Sequence, residues 1–248
     1  MTSPAFERLP NYSLRGRIAE TLREAILSGS VQEGQRLIER KLATELGASL
    51  TAVREALIEL EMEGFITKRR NAATYVTKLS AADVRKIYDV RRILEGFAFE
   101  QAALAATPEQ IAKLEQLYEE MLEAARANDR RRFVRVDYSW HEAAWQITAN
   151  DYLQTALKRV VFPLFAFTGI RIVAQNTLDL IKDADVHLPI LEALKARNPE
   201  GARRASMFAL DRWYSMTQAH VFGEPTDATS PELEAAAAQN PSSPRDLP

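Results

Sequence analysis

Apolar residues recur every third or fourth position along most of the chain, which is the spacing of amphipathic helices and not of strands. Leu14, Ile18, Leu22 and Ile26 stand four apart and predict a first helix over Leu14–Leu27, ended at Ser28-Gly29. A second helix is predicted over Glu39–Leu46 and closed by Gly47, which suits the left-handed residue past a helix end. A third starts at Ser49 or Thr51, carries Val53, Leu57 and Leu60 on one face, and is followed by Gly64. Two short extended pieces come next, Phe65–Lys68 and Thr74–Thr77, joined by Arg69-Arg70-Asn71-Ala72-Ala73. Three helices followed by a β-hairpin is the order of a winged helix-turn-helix.

Ser80 with Asp83 three residues on forms an S-x-x-D box and predicts the start of a long helix. From there to about Val221 the pattern gives five to seven helices and no strand, with breaks near Thr107-Pro108, Asn128-Asp129, Asn150-Asp151, Asn176-Thr177 and Asn198-Pro199. The expected fold class is mostly α. A winged helix-turn-helix occupies residues 1–78, and an all-α helical bundle occupies residues 80–222. From Gly223 the chain is rich in Pro, Ser, Ala and Glu, so residues 223–248 read as a disordered tail.

Composition changes this picture only a little. The chain has 248 residues, enough for two ordinary domains, and 46% of them are hydrophobic, enough for a sizeable core. There is no cysteine, which excludes a disulfide framework and thiolate metal sites. No apolar run approaches the roughly 20 residues of a membrane span. The polar stretch from Met1 to Pro10 lacks the apolar segment of a signal peptide. The expected address is therefore cytoplasmic, with no membrane partner. Net charge is −2, split as +2 over residues 1–78 and −4 over the rest. Such a small asymmetry decides nothing, so an argument for DNA rests on where the cations sit.

In a helix-turn-helix the second helix of the motif enters the major groove, with its first residues near base edges. Here that helix opens Ser49-Leu50-Thr51-Ala52-Val53-Arg54. Ser49, Thr51 and Arg54 are the natural phosphate or base donors, and Arg40 on the preceding helix is another. Lys68, Arg69 and Arg70 sit on the hairpin, placed to neutralise phosphates or enter the minor groove. Any one of them alone reads as an ordinary solvated charge; the order of elements is what gives them meaning.

In the second half, polar residues interrupt apolar helix faces. Arg91 falls in the middle of the stripe formed by Val84, Ile87, Tyr88, Leu94 and Ala98, and an unpaired buried charge is very costly. Glu95, one turn on, is the plain partner; an anionic ligand is the alternative. Asp137 and His141 share the face of Phe133 and Trp140, Arg171 shares that of Leu164 and Thr168, and His187 that of Ala184 and Leu191. Five such residues on four helices point to a polar cavity inside the bundle. Asp137 and His141 at i, i+4 with His187 make an acceptable ligand set for zinc, nickel, manganese or iron.

The first half resembles the GntR family of bacterial regulators. The resemblance is carried by Leu22-Arg23-Glu24-Ala25-Ile26-Leu27-Ser28-Gly29, Leu42-Ala43-Thr44-Glu45-Leu46-Gly47, Val53-Arg54-Glu55-Ala56-Leu57 and Leu60-Glu61-Met62-Glu63-Gly64. It departs from the family at Leu50, Thr51 and Ala52, where Arg and then Thr-Pro are usual, and at the wing tip, where Ala72-Ala73 replace Arg-Gly. The second half resembles the FCD effector domain through Tyr88-Asp89-Val90-Arg91 with Leu94-Glu95-Gly96, Asp137 with His141, and His187 leading into Ile190-Leu191-Glu192-Ala193-Leu194. The resemblance implies a regulator that binds a double-stranded DNA operator as a homodimer and answers to a small organic acid. It also implies a divalent metal on one Asp and three His. Asp137, His141 and His187 match three of the four positions, and the fourth falls on Ala209. Arg91 and Arg171 are the residues expected to grip the acid, with Tyr88 and Trp140 lining the pocket. The rival from another class is a metal-dependent helical enzyme using Asp137, His141 and His187, for which the chain offers no nucleophile elbow or phosphate loop. A third reading, a winged helix that has lost DNA binding, draws on Leu50 and Ala72-Ala73.

Overall fold

The computed structural model of the protein describes residues 14–69, 73–174 and 179–223. The predicted tail from residue 224 on, Arg70, and the expected break at Asn176-Thr177 lie outside them. Helix α1 (Leu14–Leu27) buries Ile18, Leu22 and Ile26, the i+4 stripe of the sequence. It packs against α3 (Leu50–Met62), whose Val53, Leu57 and Leu60 are buried and whose N-terminus is capped by Ser49 accepting from the Ala52 amide. Between them lies α2 (Glu39–Glu45). Strands β2 (Ile66–Arg69) and β3 (Ala73–Val76) form the hairpin. A further strand, β1 (Arg36–Leu37), adds to β3 to give a three-stranded antiparallel sheet of order β1-β3-β2. Two residues are too few to show a period of two, so β1 has no signature in the sequence.

The bundle begins with α4 (Ala81–Ala105), where Ser80 and Asp83 make both halves of the capping box. It continues through α5 (Pro108–Arg126), α6 (Arg130–Gln146), α7 (Asp151–Ala174), α8 (Leu180–Asp185), α9 (Leu188–Lys195) and α10 (Pro199–Thr217), and α10 runs on into a π turn at Gln218–Phe222. Phe99, Leu114, Met121, Phe133 and Trp140 are among the most buried side chains of its core. The stretch from Leu180 to Leu194, which the apolar face of Ala184, Leu191 and Leu194 predicts as one helix, is two. Pro189 lacks an amide hydrogen and clashes with the carbonyl four residues back, which is that of Asp185, the last residue of α8. His187 therefore sits at the break, immediately before α9.

Candidate functional site

Helices α4, α6, α7 and α10 and the α8–α9 break close around a cavity of about 60 Å³, room for a few water molecules. Three side chains converge in it. Asp137 Oδ1 lies 3.0 Å from His187 Nε2 and 3.7 Å from His141 Nε2, and the two Nε2 atoms are 3.3 Å apart. The i, i+4 spacing on α6 puts Asp137 and His141 on one face, and the α8–α9 break delivers His187 opposite them. His187 Nδ1 donates to the Ala184 carbonyl at 3.0 Å, which fixes the ring and aims Nε2 inward. His141 Nδ1 lies 3.1 Å from Glu95 Oε1, close but poorly aligned for a hydrogen bond. A carboxylate behind one imidazole and a carbonyl behind the other is the arrangement that orients metal-binding histidines.

The charges in this cavity are interlocked. Burial works against the Glu95 carboxylate, yet the Arg91 and His141 charges hold it down at about 2. Asp137 is likewise depressed, with burial outweighed by its hydrogen bond to His187 and by that ring's charge. Burial lowers His141, only partly opposed by Glu95, whereas His187 is raised because Asp137 more than offsets its burial. Asp183, also in the wall, is pushed up to about 6 by burial and by the neighbouring Asp137.

The residues expected to grip a ligand are distributed differently. Arg91 lines the cavity, but its Nε and Nη2 reach Glu95 at 2.8 and 3.4 Å, and its guanidinium lies over the rings of Phe165 and Trp213. Trp140 is buried behind the imidazoles, with ring centroids 4.7 Å from His187 and 5.3 Å from His141, and is not part of the wall. Tyr88 lies away from the cavity: its hydroxyl donates to Asp211 at 2.5 Å and its ring stacks on Tyr214. Arg171 is elsewhere too, in a two-bond pair with Glu33 at 2.8 Å for each contact. Ala209 faces the cavity, with Ser206, Arg212 and Trp213 beside it on α10. Asp183 was not among the expected site residues, although Asp183 and His187 carry the same i, i+4 spacing as Asp137 and His141.

On the winged helix, Arg40, Ser49, Thr51 and Arg54 are all exposed around the start of α3. Arg54 Nε is held by Glu39 at 2.7 Å, and Lys68 on β2 by Glu61 at 2.7 Å. A phosphate or base edge would take the place of those carboxylates. The side chain of Arg69 lies outside the described set.

Residues 14–76 match the profile of the bacterial regulatory proteins of the gntR family, and residues 86–212 match the FCD domain. The chain belongs to the GntR family. It is 28% identical over 201 residues to the probable D-xylose utilization operon transcriptional repressor of Paenarthrobacter nicotinovorans, covering 80% of this chain and 86% of that one. It is 30% identical over 207 residues to the Uxu operon regulator of Haemophilus influenzae, covering 76% of each. Among solved structures, E. coli McbR/YncC superposes with a TM-score of 0.69 at 24% identity over 85% of this chain and 99% of that one, a likeness of fold. The protein is thus a DNA-binding transcriptional regulator of the GntR type with an FCD domain. The enzyme reading has no support, since the matched relatives are regulators. Among the described residues no helix is long and apolar enough to cross a membrane.

In this GntR-type chain the two halves meet on α7. Leu164, Phe165 and Thr168 line the cavity, while Pro163, Gly169, Ile170 and Arg171 on the same helix face the winged helix. Gly64 (φ +74°) lies so close that a Cβ there would stand 2.3 Å from Pro163 N, which only glycine permits. Ile170 joins the winged-helix core beside Ile18 and Leu22. Tyr138 on α6 packs edge-on against both Phe162 and Phe165.

Proposed function

We propose that this regulator reads its operator with the start of α3 and the β2–β3 wing, and that a small carboxylate bound in the FCD cavity alters its affinity for DNA. The observation that carries the reading is α7. The helix that walls the cavity continues into the core of the DNA-binding half, so a ligand pressing on Phe165 or Thr168 acts on the same helix that meets Gly64 and Glu33 and carries Ile170 into that core. A ligand shifts that balance only by as much as it prefers one arrangement over the other.

The donors Asp137, His141 and His187 fit a divalent metal: their ligand atoms lie within 4.8 Å of one another, the Ala184 carbonyl orients His187, and Glu95 stands 3.1 Å behind His141. These three residues would hold it, and the ion would supply a positive charge to which an acid can bind. Glu95 and the Ala184 carbonyl keep the imidazoles in place, and Arg91 keeps Glu95 charged.

The functional unit in this reading is a homodimer, matching the two-fold symmetry of operators. Val90, Ile93, Phe97 and Leu104 leave an apolar stripe exposed along α4, with Ile93 74% exposed. Their spacing is that of a heptad seam, suited to a second copy of the same helix.

DNA binding is tested by fluorescence anisotropy with a duplex taken from the DNA flanking the gene. Arg54→Ala is expected to weaken binding by about tenfold at moderate salt. An affinity unchanged by that substitution would favour a winged helix that no longer reads DNA.

A further inference from the structure

Both arginines singled out for an acid are already committed, Arg91 to Glu95 and Arg171 to Glu33. A carboxylate arriving at either would have to displace a carboxylate already fixed by two contacts, and Glu95 in addition stands behind His141. The wall offers a different cation. Arg212, an exposed side chain on α10, lines the cavity, its charge opposes the rise of Asp183, and it makes no hydrogen bond or ion pair among the described residues. One turn before it, Ala209 is only a methyl group. Both residues line the cavity from one face of α10, and the small side chain of Ala209 leaves the lining there without a polar group.

A second observation comes from α7. The hydroxyl of Thr168 on α7 is sealed from solvent, lines the same cavity and has no hydrogen-bond partner among the described residues. A buried unpaired hydroxyl costs stability, and it is satisfied when a ligand brings a polar atom to it. Leu164, Phe165 and Trp213 add apolar surface to the lining.

We infer that the ligand's carboxylate binds Arg212 beside Ala209, and that a second oxygen of the ligand pairs with the Thr168 hydroxyl. The occupant is then a small acid carrying a hydroxyl or oxo group in addition to its carboxylate. This rests on the acid-sensing reading of the cavity and assigns its contacts. It also gives that reading its lever, because Thr168 stands three residues from Arg171, the residue of α7 that holds Glu33 of the winged helix.

The test is calorimetric titration of the full chain, with zinc present and with chelator, using lactate against propionate and malate against succinate. Each pair differs by one hydroxyl. Wild-type protein is expected to bind one hydroxy acid and to prefer it about tenfold over its deoxy partner. Arg212→Gln is expected to weaken both members of that pair by about tenfold or more. Thr168→Val keeps the side-chain shape and is expected to abolish the preference while leaving the deoxy acid's affinity in place. Equal melting temperatures of variants and wild type without ligand establish that each is folded. If wild type binds an acid and both variants bind it as tightly and as selectively, the assignment to Arg212 and Thr168 is wrong while the acid-sensing reading stands. If wild type binds none of the four acids under either condition, both fall.

Discussion

At the scale of single residues, the site is defined as much by what is paired as by what is free. Arg91 and Glu95 form a buried ion pair with His141 beside it, and removing either partner would leave the other charge uncompensated. Ala209 is the position where chemistry is most plainly missing: it lines the same cavity as Asp137, His141 and His187 and contributes no donor. Ala209→His is therefore expected to tighten zinc binding by about tenfold or more, since affinity follows ligand number. Competition against a colorimetric chelator measures this. Equal affinity of the two proteins would mean that residue 209 does not reach the metal position.

At the scale of elements, α7 is both the wall of the sensor and part of the reader's core. Its two-bond pair from Arg171 to Glu33 is one of the joints between the halves, along with Arg131–Glu24. Glu33→Gln is expected to leave the ligand's affinity for the FCD domain nearly intact while reducing, by about threefold or more, the effect of ligand on DNA affinity. Titrations of ligand and of duplex on the same variant separate the two quantities. The elements themselves were largely legible in the sequence. The i+4 stripe of α1, the Ser80 box and the glycine stops each act locally, within one turn, where sequence spacing is structure. The division at His187 was legible as well, because Pro189 forbids a continuous helix there, but the apolar face of Ala184, Leu191 and Leu194 masked it. The placement of Tyr88 and Arg171 was not legible. A helical wheel gives the direction of a side chain but not the neighbour that covers it. On a helix of 24 residues such as α7 one face meets two partners in succession: Thr168 meets the cavity and Arg171, one turn later, meets Glu33. Likewise Tyr88 shares the inward stripe of α4 with Arg91, yet the end of α10 covers it through Asp211 and Tyr214.

At the scale of the whole molecule, the account requires two copies acting on one operator. The α4 stripe of Val90, Ile93, Phe97 and Leu104 predicts where they meet, and Ile93→Glu is expected to shift the protein from dimer to monomer in sedimentation velocity at micromolar concentration. A dimer that survives this substitution would place the interface elsewhere. The central claim is that occupancy of the FCD cavity changes the affinity of the winged helix for DNA. Its most direct test is the dissociation constant of the flanking duplex, measured by anisotropy with and without the short carboxylic acid that most raises the melting temperature of the zinc-loaded protein. A change of about fivefold or more in that constant is expected. An acid that binds, as shown by the melting temperature, and leaves the DNA affinity unchanged would contradict it.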